Sequence, residues 1–191
     1  MRKQNGSVLI GVIIAIAIVL CLAVPAIFGY VSAYNLGNRT ENQLTAMLEN
    51  NENIYANGTQ KVIEIAQVPS MYAEQVGKVT REAIQGRYGQ DGSKAVFQFL
   101  QEQNPQLDHA IFAKIQVVIE EFRNKFELAQ RDMIDVKRMY NTQLGSLWTG
   151  FWLGVAGYPK VDMKKFEIVT TERARQTFDT KRDQGINLNQ K

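Results

Sequence analysis

The residues of this chain that could do chemistry are few and scattered. Its one histidine, His109, follows Asp108, and a carboxylate in that place could orient an imidazole as a general base. Such a pair needs a nucleophile beside it, and no motif marks one. With one histidine and one cysteine, the chain has no set of thiol and imidazole ligands for zinc. We expect His109 to be a surface residue in the first turn of a helix.

A group of carboxylates on one predicted helix could suggest a di-metal centre: Glu120, Glu121, Glu127, Asp132 and Asp135. Bundles with that chemistry present Glu-x-x-His repeats toward their core. The sequence has no such repeat, and these acids lie off the apolar face of the helix. They predict a solvated surface. We expect no catalytic residue, no metal and no cofactor.

The glycine-rich stretch "GRYGQDGSK" invites comparison with a phosphate-binding loop. Such a loop has four residues between its glycines and a lysine before serine or threonine. Here five residues separate Gly86 from Gly92, and Ser93 precedes Lys94. The stretch therefore predicts a loop between two helices.

The stretch "LGSLWTGFWLGVAGYP", residues 144–159, contains two tryptophans, four glycines and no charge. Its strictly apolar or small part is about 15 residues, shorter than the roughly 20 that a membrane-spanning helix needs. We expect its aromatic residues to form the candidate interaction patch, which consists of Trp148, Phe151 and Trp152. We prefer a cap on the end of a helical bundle to a contact patch for membrane or partner, and either to a second span.

The strongest element is an apolar run near the N-terminus. Residues 8–31 are 24 nearly unbroken apolar residues, and no charge occurs between Lys3 and Arg39. A bilayer core of roughly 30 Å needs about 20 helical residues, so this run predicts a single transmembrane helix. It is too long for the apolar region of a cleaved signal peptide. Membrane lipid is therefore an expected partner.

Charges near the run predict its orientation. Arg2 and Lys3 precede it, whereas Arg39 follows it close to Glu41. By the positive-inside rule, the N-terminus is expected in the cytoplasm and the body outside. The net charge of only +3, with acids and bases interspersed, predicts no nucleic-acid binding.

Helical periodicity dominates the remainder. Apolar residues advance 40 positions in eleven steps, a mean of 3.64, at Leu107, Ile111, Ile115, Val118, Phe122, Phe126, Ala129, Met133, Val136, Tyr140, Leu144 and Leu147. A helix of this length needs partners beside it. The stretch from Tyr34 to Val68 has similar spacing, and we expect it to continue the span until Pro69 ends or kinks the helix.

These elements predict an all-α chain in which a transmembrane helix continues into an elongated antiparallel bundle of three long arms that run up, down and up. The second arm is expected over residues 70–104, with the glycine-rich loop inside it, and the third is the long helix from Leu107, whose end is expected away from the membrane. The expected divisions are a short tail at 1–7, the span at 8–31, the bundle at 32–158, and a partly disordered C-terminal tail at 159–191.

Several segments in this order resemble the LemA family of bacterial membrane proteins. They are "AYN" directly after the span, "VTREAI", "FLQEQNPQLD", and "FAKIQVVIEEFRNKFELAQRDMIDVKRMYNTQLGSL" followed by the glycine-aromatic stretch. The chain looks like a divergent member, since "RDM" stands where the family has arginine-tyrosine-asparagine. The resemblance implies a LemA-like bundle on one transmembrane helix, without catalytic residues.

We therefore expect a membrane-anchored, non-catalytic interaction or scaffold protein of the bacterial envelope, bound to a protein partner or to itself. The alternative is an anchored sensor that binds a small ligand between helices. An enzyme built around Asp108 and His109 is the least favoured function.

Overall fold

A computed structural model describes residues 4–88, 91–105 and 107–167, without the side chains of residues 4–8 and of His109. This part of the chain contains α-helices, two 3-10 turns and no strand, which confirms the all-α prediction. The helices are α1 (Gln4–Ala66), α2 (Ala73–Ile84), α3 (Gly92–Gln103), α4 (His109–Leu144) and α5 (Leu147–Val155). The predicted disorder at 159–191 falls mostly beyond residue 167, outside the described residues.

Helix α1 contains 63 residues and runs through Pro25 without a break. The prediction that the apolar run continues into the following helix is therefore confirmed. The helix ends in a Schellman motif: Gln67 has φ 51°, the Val68 N–H donates to the Ile63 carbonyl (3.1 Å), and the Gln67 N–H donates to the Glu64 carbonyl (3.3 Å). Pro69 follows, where it cannot continue the helix.

The chain divides into two compact units, and the division falls inside α1 and inside α4. Of the described residues, unit 1 contains 4–45 and 135–165, and unit 2 contains those from 46 to 134 together with 166 and 167. Within unit 2, Tyr55 packs on Phe126 with ring centroids 4.5 Å apart, and Asn51 donates to the Met133 sulfur at 3.8 Å. Because residue numbers rise along α1 as they fall along α4, the two helices are antiparallel here.

The other two helices of unit 2 form a hairpin. Ala83 near the end of α2 lies against Gly92 at the start of α3, while Val76 and Leu100 line one cavity near the opposite ends. The expectation of a single second arm over this region is therefore wrong. Glycine-rich residues between α2 and α3 reverse the chain, as the loop prediction for "GRYGQDGSK" required; residues 89–90 of that loop lie outside the described part.

The core of unit 2 consists of aliphatic and aromatic side chains from all four helical segments, among them Val62, Val76, Ile84, Val96, Phe97, Leu100, Ile115, Ile119 and Phe126. Helix α4 begins at an N-cap, because the Asp108 carboxylate accepts a hydrogen bond from the Ala110 N–H at 2.9 Å. The carboxylates considered above for a metal site are all exposed on α4, which confirms the predicted solvated surface.

Gly58 marks a close approach in unit 2. A Cβ atom at this buried position would lie 2.6 Å from Ile84 Cδ1 and 3.0 Å from Phe122 Cγ. Helix propensity alone would favour alanine over glycine by about 1 kcal/mol. Because Ile84 is itself buried, the methyl group has no free space, and overpacking of this kind costs about 1–3 kcal/mol.

Gly58→Ala is therefore expected to lower the unfolding temperature of the detergent-solubilised chain, measured by circular dichroism. Asn57→Ala is the matched control, since Asn57 is the exposed neighbour on the same helix. Because alanine has the higher helix propensity, this variant should be slightly more stable than the parent chain. A rise in stability for Gly58→Ala as large as that for Asn57→Ala would contradict the close packing of α1, α2 and α4 at Gly58.

Candidate functional site: the contact of α1 with α5

Helix α5 is a separate element after the end of α4. The Ser146 side chain accepts a hydrogen bond from the Gly150 N–H at 3.3 Å and so caps its N-terminus. Gly150 lies against the Leu144 carbonyl, where a Cβ atom would overlap with it. The prediction that Leu147 completes the apolar face of α4 is wrong, because Leu147 begins α5 and is 96% exposed.

Unit 1 is built on a row of four positions on one face of α1. Gly29, Ala33, Gly37 and Glu41 recur at every fourth residue, so they lie above one another along the helix. Ala33 and Glu41 are buried. The three small residues of this row allow the aromatic residues of the C-terminal segment to approach the α1 backbone.

Trp152 occupies the first of these positions. A Cβ atom at Gly29 would lie 2.6 Å from Trp152 Nε1 and 2.9 Å from Trp152 Cε2, so only glycine leaves room for the indole. Gly29 belongs to the apolar run of residues 8–31. We expected the last arm of the bundle to end far from this run, and the Trp152 contact shows that expectation to be wrong.

Tyr158 occupies the third position. Its ring carbons would lie 2.6–2.7 Å from a Cβ atom at Gly37, and its ring meets Tyr34 edge to face with centroids 5.9 Å apart. The ammonium of Lys160 lies 4.8 Å from the Tyr34 ring centroid and 4.4 Å from that of Tyr158. These distances are typical of cation–π contacts.

Glu41 occupies the fourth position of the row, and its carboxylate accepts hydrogen bonds. It is 5% exposed, and its Oε1 accepts hydrogen bonds from the Tyr140 hydroxyl (2.9 Å) and from the Lys160 backbone N–H (2.8 Å). Burial raises the pKa of Tyr140 well above its ordinary value of 10, and the hydrogen bond to the Glu41 carboxylate raises it further. The two groups that donate to Glu41 Oε1, a hydroxyl and a backbone N–H, are both uncharged.

The outer side of α5 has no cover within unit 1. Leu147, Trp148, Phe151 and Val155 are all more than half exposed, and Gly154 has no neighbouring atom where its Cβ would be. Of the three residues of the predicted patch, Trp148 and Phe151 therefore point outward, while Trp152 packs against α1. Their rings remain in contact, with centroid distances to Trp152 of 5.7 Å for Trp148 and 5.1 Å for Phe151.

Two features of this site were missed by the sequence interpretation. The spacing of Gly29, Ala33 and Gly37 is a small-xxx-small pattern, the kind that lets membrane helices pack closely, and it was visible in the sequence. Gly150 and Gly154 also lie four residues apart, so the spacing alone does not single out the row on α1. The role of Glu41 had a weaker signal, since an acid shortly after an apolar run is usually solvent-exposed.

The other candidate residues are not brought into this site. Helix α4 begins at His109, whose side chain lies outside the described part. Among the described residues, no three His, Cys, Asp or Glu side chains are grouped in a way that could hold a metal ion. The single cysteine, Cys21, is exposed on the apolar part of α1.

Comparison of the chain with known proteins gave no match among family models, curated proteins or solved structures. The resemblance to the LemA family therefore stays a prediction that rests on the sequence segments given above.

Tyr140→Phe should destabilise unit 1, because a hydrogen bond to a charged, buried partner contributes about 1.5–3 kcal/mol. Tyr34→Phe is the matched control, since the Tyr34 hydroxyl makes no hydrogen bond to a described residue. Thermal unfolding in detergent checks both. The pKa of Tyr140 is higher in the folded state than the value of 10 in the unfolded chain. The contribution of the protonated hydroxyl to the stability of the fold is therefore complete below pH 10 and is lost as the pH rises further.

The pH profile adds a second readout for this pair of variants. The parent chain should lose more stability above pH 10 than Tyr140→Phe does. If Tyr34→Phe and Tyr140→Phe were equally stable at every pH, the hydrogen bond to Glu41 would have no energetic role.

Gly29→Val is expected to displace the Trp152 ring. In a Trp148→Phe background Trp152 is the only tryptophan, so its steady-state fluorescence anisotropy should fall when its contact with α1 is lost. Gly11→Val is the control, because no atom lies within 4 Å of the Cβ position at Gly11. Unchanged anisotropy in Gly29→Val would contradict the contact.

Proposed function

We propose that the chain is a membrane-anchored, non-catalytic helical-bundle protein that acts as an interaction or scaffold protein in the bacterial envelope. One observation carries this proposal: α1 is long and apolar enough to cross a membrane, and none of its most apolar stretch is buried within the protein. Large aliphatic side chains such as Ile13, Leu20 and Ile27 are more than half exposed. In water, each would forgo about 1.5–3 kcal/mol of burial free energy.

The resemblance to the LemA family supports the same proposal, since it implies a bundle mounted on one membrane helix. The orientation proposed from the basic residues places the N-terminus in the cytoplasm and the body outside. Protease treatment of intact cells and then of spheroplasts tests it. The body should resist protease in intact cells and be degraded in spheroplasts; protection in both would reverse the orientation.

The anchor itself is tested with a charge in the apolar run. Ile18→Arg should weaken insertion, because arginine at the centre of a membrane helix costs about 2.5–3.5 kcal/mol. More of the variant than of the parent should be extracted from membranes by alkaline carbonate. Met71→Arg is the control, since Met71 is an exposed apolar residue of unit 2. Full extraction of the parent chain would contradict the proposal that α1 anchors it in the membrane.

An interaction surface is proposed in unit 2, where a groove of about 350 Å³ lies between α1 and α4. Met47, Ile54 and Leu128 supply apolar lining, while Lys125 and Asp132 supply one charge of each sign. Leu128 is more than half exposed. Protein–protein interfaces have an apolar centre and a polar rim, and the lining of this groove supplies side chains of both kinds.

A photocrosslinking residue at position 128 should capture a protein partner or a second copy of the chain in native membranes. The same residue at position 127 is the matched control, because Glu127 is exposed on α4 but does not line the groove. Recovery of the monomer alone from position 128 would remove the scaffold proposal.

The alternative function, an anchored sensor for a small ligand, has one supporting observation. A cavity of about 190 Å³ in unit 2 is lined by Ala66, Val68, Val76, Leu100 and Leu107, with Gln67 and Gln103 among its polar residues. Ordinary ligand pockets measure about 300–1,000 Å³, so this cavity suits only a very small apolar molecule. A thermal-shift screen without any stabilising ligand would count against the sensor.

A further inference from the structure

We infer that α5 is a lipid-contact helix, whose outer face lies in the interfacial zone of the bilayer beside the end of the membrane-spanning part of α1. The outer face consists of Leu147, Trp148, Phe151 and Val155. This inference rests on the proposed function in one respect, namely that α1 crosses the membrane.

The depth of α5 follows from its contact with α1. Trp152 packs directly on Gly29, and Gly29 precedes the end of the apolar run at Val31 by two residues, or about 3 Å of helix. The neighbouring α1 side chains Ile27 and Phe28 are more than half exposed, like those of the α5 outer face. If lipid surrounds residues 27 and 28, it also reaches the helix that is packed beside them.

The composition of α5 requires an apolar environment on both sides. Its sequence, LWTGFWLGV, has one polar side chain, Thr149, and no charge. Leu153 is buried within the protein, whereas the outer face is uncovered. A helix that is apolar all round is found in a protein core or in a membrane. Nine residues make a helix of only about 14 Å, which lies at the membrane interface and does not cross it.

The aromatic residues match this position. Tyr30, Tyr34 and Tyr158 lie in the same unit as Trp148 and Trp152, all close to the end of the apolar run. Tryptophan and tyrosine are enriched at the boundary between hydrocarbon and headgroups, because their rings are apolar and each carries one polar atom.

The charges around α5 favour a lipid surface over a second copy of the chain. Beyond the apolar run, unit 1 carries six basic side chains (Arg39, Lys137, Arg138, Lys160, Lys164 and Lys165) against three acids (Glu41, Asp135 and Asp162), and Glu41 is buried. Two copies that meet through this region would bring like charges together. The phosphate groups of a lipid surface, in contrast, have the opposite sign to these basic side chains.

Native fluorescence tests the inference, because the only two tryptophans of the chain both lie in α5. The full chain with Trp152→Phe, which keeps Trp148 as its only tryptophan, is placed in phosphatidylcholine vesicles. Brominated phosphatidylcholine should quench most of the Trp148 emission, while aqueous iodide should quench little of it. The Trp148→Phe chain, with Trp152 packed on Gly29, should be quenched less by the brominated lipid.

Two outcomes would overturn the inference. Strong quenching of Trp148 by iodide would place α5 in water. Protection from both quenchers that disappears as the protein is diluted in lipid would identify a second copy as the occupant. Circular dichroism verifies that both variants keep the helical content of the parent.

Carbonate extraction of the same vesicles distinguishes failure of the proposed α1 anchor from failure of the proposed lipid contact of α5. If the chain is extracted, the anchor itself fails. If it stays in the membrane while iodide quenches Trp148, only the lipid contact of α5 fails.

Discussion

The close approach of aromatic rings to glycines of α1 is the constraint on which the rest of unit 1 depends. Trp152 and Tyr158 reach the backbone at Gly29 and Gly37, where any larger residue would collide with the rings. The two contacts are eight residues apart on one face of α1, so together they set both the height and the rotation of the C-terminal segment along the helix. The exposure of Trp148 and Phe151 follows from this geometry.

Glu41 is the polar counterpart of these contacts. A buried carboxylate is costly unless hydrogen bonds satisfy it, and here the hydroxyl of Tyr140 and the backbone N–H of Lys160 do so. The ammonium of Lys160 lies over the rings of Tyr34 and Tyr158. Because a shift of the segment along α1 would leave the Glu41 carboxylate without its donors, the hydrogen bonds select the same register as the ring contacts.

Much of the helical architecture could be predicted from the sequence, because its periodicities are long and regular. The apolar run, its continuation into one helix, the break near Pro69 and the amphipathic α4 all follow from the spacing of apolar residues. The second arm was predicted wrongly. Its two halves each have helical spacing, and only three-dimensional packing determines that α3 folds back on α2.

The candidate site was predictable in its residues but not in its location. Trp148, Phe151 and Trp152 stand out as aromatic side chains in an uncharged stretch, yet their spacing does not tell which ring faces inward. That depends on Gly29, more than a hundred residues earlier in the chain. A glycine can occur in an apolar helix for several reasons, so the contact of Gly29 with Trp152 could not be predicted from the local sequence pattern.

The central claim, that α5 lies beside the end of the membrane span, is tested most directly by depth measurements with spin labels. In a Cys21→Ala background, single labels at positions 28 and 151 replace two exposed phenylalanines, one on α1 and one on α5. Power saturation with oxygen and with a water-soluble nickel chelate then gives the depth of each label in vesicles. Similar depths for both labels are the predicted result. A label at position 151 that is as accessible to the nickel chelate as one at the exposed position 43 would contradict the claim.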